Sequence, residues 1–156
     1  MREQQGFTII ELMSVILIGS ILIMIAIPNY TVFVKNNCLT TNANKLVASF
    51  SYARSEAIKR RDIVHVRTGG DWGTGWDVIW EADDGTETTL RTEALTCGST
   101  SVVEAGADTD FEYSQTGFID AAGSFDICDD RTGETGRQIT ISATGRPHTN
   151  AALVCP

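Results

Sequence analysis

Residues 7–27 form an apolar run broken by a single charge, Glu11. As a helix this run is about 31 Å long, enough to cross a bilayer core. Further on, Leu39, Ala43, Leu46, Phe50, Ala53 and Ala57 recur at alternating spacings of four and three, which places them on one helical face. Asn42, Lys45, Arg54 and Lys59 fall on the other side, where a half-buried helix meets solvent. The pattern predicts one long helix over about residues 7–61, its first half apolar all round and its second half docked on a sheet. A long coiled coil is disfavoured, because the apolar repeat lasts too few heptads.

Past Arg61 the period shortens to two. Val64 and Val66, then Trp76, Val78 and Trp80, then Thr88 and Leu90 alternate as half-buried strands do. Asp83, Asp84 and Gly85 supply a turn between two of them. Phe125 with Ile127 and Ile139 with Ile141 give two later strands, separated by the polar, turn-rich residues 128–136. The fold class expected is α+β: a long N-terminal helix packed on an antiparallel sheet.

The 156 residues therefore suffice for one membrane-length helix and one globular domain of ordinary size. Charge is segregated along the chain. Residues 29–61 hold six basic side chains against Glu56, whereas residues 71–134 hold sixteen acids against Arg91 and Arg131. Such an acidic total argues against whole-surface attraction to nucleic acid or anionic lipid, while leaving room for a local basic patch. The four cysteines, Cys38, Cys97, Cys128 and Cys155, show no C-x-x-C spacing, so disulfides in an oxidising compartment are favoured over zinc. Among the three pairings, Cys38 with Cys97 and Cys128 with Cys155 are preferred, the latter because it flanks the last strands and tethers the C-terminus.

A carboxylate inside a membrane segment costs about 2.5–3.5 kcal/mol, so Glu11 requires compensation. A cleaved secretory signal fits poorly, since the apolar core is long and Glu3 offsets Arg2. A plain single-pass anchor leaves Glu11 unexplained. The stretch GFTIIEL at residues 6–12 resembles the cleavage site of type IV prepilins and pseudopilins. The resemblance implies that a polar leader, residues 1–6, is removed after Gly6 by a prepilin peptidase and that the new N-terminal Phe7 is N-methylated. Glu11 is then the fifth mature residue and pairs with the exposed α-amino group. Removing one partner of such a buried pair costs roughly 3–5 kcal/mol. Pro28 lies where pilins commonly carry a helix-kinking proline. Domains follow as residues 7–28 for membrane and filament core, 29–61 for an amphipathic continuation and 62–156 for a β-rich head.

SEAIKRR near the helix end, GWDVIW before an acidic turn, and ISATGRPH before the late cysteine look like the FimT/FimU/GspH group of minor pilins and pseudopilins. Such a subunit is expected in the inner membrane by a single span, its head in the periplasm, and then in a pilus at the cell surface. Its implied partners are other major and minor pilins, the prepilin peptidase and an inner-membrane assembly platform. A FimT-like DNA-binding pilin of natural transformation and a GspH-like pseudopilin of type II secretion are the alternatives.

Enzymatic signatures are lacking: there is no G-x-S-x-G, Walker loop or G-x-G-x-x-G, and His65 and His148 are the only histidines. No cofactor or metal is implied. Asp83 with Asp84, Asp108 with Asp110 and Asp129 with Asp130 read as solvated turn charge. The tryptophans alternate with Asp77 and Ile79, which points to sheet packing. FimT-like pilins associate a C-terminal G-R-x-R motif with DNA. Here Gly145, Arg146 and Pro147 are followed by His148, whose charge at neutral pH is small. Lys59, Arg60, Arg61, Arg137 and Arg146 form one patch for double-stranded DNA only if the last strands adjoin the helix end. Binding is therefore expected to be weak and non-specific, or absent.

Overall fold

The computed structural model describes residues 6–150 and 153–156. Residues 1–5 of the expected leader lie outside them. Helix α1 (Ile9–Arg60) is followed by β1 (Ile63–Arg67), β2 (Trp76–Glu81), β3 (Glu87–Glu93), β4 (Ser101–Glu104), β5 (Asp110–Tyr113), β6 (Gly123–Cys128), β7 (Arg137–Ile141) and β8 (Pro147–Asn150). The chain divides into two units, Met1–Asn36 and Asn37–Pro156.

In the first unit the apolar side chains of α1, from Ile9 to Ile27, are exposed. Thr8 begins the helix by accepting the backbone N–H of Glu11 on its hydroxyl, at 3.3 Å, the bond expected of an N-cap threonine. α1 continues through Pro28, and the carbonyl of Ile25 accepts the side-chain amide of Asn29 at 2.9 Å.

The second unit holds two antiparallel four-stranded sheets, of order β3-β2-β1-β5 and β4-β6-β7-β8. Both face the predicted apolar stripe: Leu39, Ala43, Leu46, Phe50, Ala53 and Ala57 pack with Val64, Val66, Val78, Ile127, Ile139 and Ile141. Phe50 lies at the centre, with ring centroids of Phe111 and Phe125 at 5.6 and 5.4 Å. Trp72 meets Phe125 edge-on at 4.9 Å, an arrangement the ring quadrupoles favour. Each large polar ring in this core has its donor satisfied. Trp72 Nε1 donates to the carbonyl of Asp108 (2.8 Å), and Tyr113 Oη donates to the carbonyl of Gly145 (2.9 Å).

Strands β1, β2, β3, β6 and β7 fall where alternation places them. Strands β4, β5 and β8, four residues each, are additional to the sequence expectation. The helix ends one residue earlier than expected, because Arg61 adopts φ 57° and Asp62 N–H closes on the carbonyl of Ala57 at 3.3 Å. This is a left-handed helix stop, a place usually taken by glycine.

The solvated side expected of α1 is in part covered. Asn42 is fully buried, not solvated. Its Oδ1 accepts the backbone N–H of Thr96 at 3.0 Å. It belongs to a second stripe that runs beside the apolar one: Cys38 is bonded to Cys97, Asn42 to Thr96, Lys45 Nζ to the carbonyl of Ala94 (2.8 Å), and Ser49 Oγ to Trp76 Nε1 (2.9 Å). The helical positions ascend while their partners descend, so the stripe forms a polar seam between α1 and the segment around β3. The second disulfide joins Cys128 to Cys155, and both bonds are those preferred from the sequence. Near the second, Val154 bridges to Thr135.

Candidate assembly and binding surfaces

Gly6 and Phe7 precede α1 in exposed, non-helical backbone, with Phe7 87% exposed. Glu11 occupies the first turn, where a carboxylate is favoured by the unpaired N–H groups and the helix dipole. That local role exists alongside any pairing with a processed N-terminus. The helix is long and apolar enough to span a membrane, and its large apolar side chains from Ile9 to Ile27 are exposed.

The basic residues do not form one patch. Glu56 takes two of them: Arg60 Nε donates to its Oε2 at 2.7 Å and Lys59 Nζ to its Oε1 at 3.1 Å. These bonds, that from Arg60 first, hold the Glu56 carboxyl below its ordinary pKa. Arg60 also lies over the Trp80 ring, 4.7 Å from its centroid. Arg61 is exposed and has no partner among the described residues. Arg137 opens β7, where its Nη1 donates to the carbonyl of Gly136 at 3.0 Å. Arg146 follows the other end of the same strand, in the turn before β8. Since β7 separates them by several strand residues, Arg137 and Arg146 cannot contact one phosphate group together. His148 lies on β8 opposite Thr140, exposed at the sheet edge.

The turn carrying Arg146 does adjoin α1, along the face that runs from Val47 to Ile58. Val47, Arg54, Ile58, Arg146 and Pro147 line a cleft of about 340 Å³ there. Arg54, expected in solvent, is partly buried and donates from Nε to the carbonyl of Gly117 at 2.9 Å. The turn is fixed by Gly145, at φ 72°, where an added Cβ would sit 2.5 Å from the Tyr113 ring.

Two of the acidic groups read as solvated turn charge are engaged instead. Asp110 lies on β5 and contacts His65 Nδ1 through Oδ1 (3.1 Å), while its Oδ2 accepts Arg67 Nε (2.9 Å). His65 is buried, with Glu81 Oε2 at 3.1 Å from its other ring nitrogen. The side chain of Asp129 is 2% exposed and accepts Arg131 Nη2 at 2.6 Å. Sequence spacing gave no sign of either cluster, because each depends on strand register or turn closure. Among the described residues no group of three or more such side chains is arranged to hold a metal ion.

Residues 42–145 match the family model described as type II transport protein GspH. The chain belongs to the GspH family. Residues 1–27 of this GspH-family chain match the prokaryotic N-terminal methylation motif. Its fold is similar to that of the Pseudomonas aeruginosa type IV minor pilin FimU, with a TM-score of 0.67 and 25% identity over 80% of this chain and 99% of that one. It is also similar in fold to the minor pseudopilin EpsH of the Vibrio cholerae type II secretion system, with a TM-score of 0.60 and 11% identity over 72% and 95% of the two chains. A Pseudomonas aeruginosa fimbrial protein is 36% identical over 78 residues, which are 50% of this chain and 49% of that protein. The GspH-family chain thus spans about half the length of the curated relatives it matches. Motif, family and fold together make it a type IV minor pilin or pseudopilin.

Proposed function

We propose that the chain is a minor pilin that enters a type IV pilus and primes or caps it. Cleavage after Gly6 by a prepilin peptidase and N-methylation of Phe7 prepare the apolar half of α1 for the filament core. Glu11 pairs there with the freed amine, on its own chain or on a neighbour. Before assembly this half lies across the inner membrane with the β-rich part in the periplasm, and the assembly platform brings it to other major and minor pilins. The observation that carries this reading is the exposed apolar surface of α1 directly after a G-F junction. Burial of such a surface requires lipid or other helices.

Mass spectrometry of the native protein and immunoblotting of sheared surface filaments test it. A chain beginning at methylated Phe7 and present in the filaments is the expected result. An intact Met1, or absence from every filament fraction, refutes it.

The family description favours a second reading, a pseudopilin of a type II secretion system. Deletion of the gene separates the two: loss of surface pili supports the first, and loss of secreted proteins with pili intact supports the second. DNA binding has weaker support, because Arg137, Lys59 and Arg60 do not join Arg146 as free cations.

A further inference from the structure

Most cations of the globular unit are committed to carboxylates: Lys45 to Glu93, Lys59 and Arg60 to Glu56, Arg67 to Asp110 and Glu87, Arg91 to Glu93, and Arg131 to Asp129. The cleft between α1 and the β7–β8 turn departs from this. Two guanidinium groups line it, no carboxylate does, and among the described residues Arg146 has no side-chain partner while Arg54 donates only to a backbone carbonyl. In a unit so rich in acid, this is a place where positive charge has been left uncompensated.

The cleft is also partly apolar. Val47 and Pro147 contribute to its wall, Ile58 is 46% exposed at its rim, and Phe118, next to the glycine that Arg54 holds, is 57% exposed. Its parts are fixed before any ligand arrives. Arg54 is tethered at Nε, and the Arg146 backbone is closed onto Ser142 by N–H and carbonyl bonds of 3.3 and 3.1 Å. Such preorganisation lowers the ordering cost of binding.

From these observations we infer that the Arg54–Arg146 cleft receives an acidic side chain, flanked by an apolar residue, from a neighbouring pilin subunit. This rests on the filament-subunit reading above. A side-chain carboxylate suits a space of about 340 Å³, and guanidinium groups bind carboxylates with defined geometry. The exposed Ile58 takes the apolar neighbour. Duplex DNA fits less well, because its phosphates continue along both strands and would pass over a unit whose residues 71–134 carry sixteen acids.

The test uses the full chain expressed in its own cells, with a photo-crosslinking phenylalanine analogue in place of Ile58. The expected product is an adduct with another pilin subunit, whose crosslinked peptide contains Asp or Glu beside an apolar residue. Arg54→Glu and Arg146→Glu each lower the yield by about thirtyfold or more, the ratio that corresponds to the usual loss when one partner of an interfacial charge pair is removed, and an acid-to-arginine change on the partner restores it. Arg146→Gln, a milder change, lowers it less. Retention of both disulfides by non-reducing peptide mapping shows that each variant is folded. An adduct that persists after both charge reversals, an adduct with DNA, or no adduct from chains present in sheared filaments overturns the inference and leaves the pilin reading standing. Absence of the unsubstituted chain from filaments refutes that reading, and the inference with it.

Discussion

Trp76 Nε1 donates a 2.9 Å hydrogen bond to Ser49 Oγ inside the packed layer between α1 and β2. Ser49 Oγ in turn donates a hydrogen bond to the carbonyl of Lys45, 3.0 Å away, so one buried hydroxyl satisfies the indole and remains satisfied itself.

Ser49→Ala is therefore expected to destabilise the fold by about 1–3 kcal/mol, the cost of leaving a buried donor unpaired. Adding Trp76→Phe removes that orphaned donor, so the double variant should lose less than the sum of the two single losses. Thermal unfolding of the full chain in detergent, followed by circular dichroism, measures both. Strict additivity would show that the bond contributes nothing.

Glu56 gives a pH dependence. Arg60 and Lys59 depress its pKa, so the stabilisation is full above the unfolded glutamate value of about 4.3 and is lost as pH falls through the lower folded value. Glu56→Gln should accordingly melt below the parent at pH 7, and the gap should narrow as pH falls below the unfolded glutamate value. A constant gap across that range would contradict the assigned partners.

Two turn positions have opposite expected signs. Arg61 adopts φ 57° without being glycine, so Arg61→Gly should stabilise by about 0.5–1 kcal/mol. Gly145 combines φ 72° with a would-be Cβ only 2.5 Å from Tyr113 Cε1 and 2.7 Å from the carbonyl oxygen of Gly117. Gly145→Ala should cost about 2 kcal/mol or more. Chemical denaturation midpoints decide, and the same sign for both variants would be inconsistent with this backbone geometry.

Glu11→Ala concerns assembly, on the reading proposed above. Glu11 lies in the first unit, and the globular unit begins at Asn37, so both disulfides and the melting of that unit should be unchanged. The amount of chain in sheared filaments should fall steeply. Normal incorporation would show that no charge on Phe7 depends on Glu11.

The apolar stripe of α1 and five strands were legible because each repeats its pattern over enough residues to define a period. β4 and β5 are four-residue strands whose two inward side chains, Val102 and Glu104 or Phe111 and Tyr113, are too few to do so. β8 reads Pro-His-Thr-Asn and is a sheet edge with no inward apolar residue to announce it. Asn42 was misplaced for a different reason. Its burial is created by the segment at Thr96, which the Cys38–Cys97 bond draws against the helix, and single-helix periodicity contains no such distant neighbour. The spacing of Cys38, Asn42, Lys45 and Ser49, alternating four and three like the apolar stripe beside it, was the available signal. Charge marks Arg146 in the sequence. What the sequence did not reveal was its placement beside Arg54 and the absence of acid around it.

The Cys38–Cys97 bond lies two residues inside the boundary at which the globular unit begins. Tension transmitted along α1 from the first unit enters the second at Asn37, and the first tertiary connection it meets is covalent. The hydrogen bonds of Asn42, Lys45 and Ser49 follow behind it. Without that bond, pulling would open them one after another, beginning with Asn42. With it, rupture must strain the whole seam together, and the force needed to strip the helix from its sheets rises accordingly.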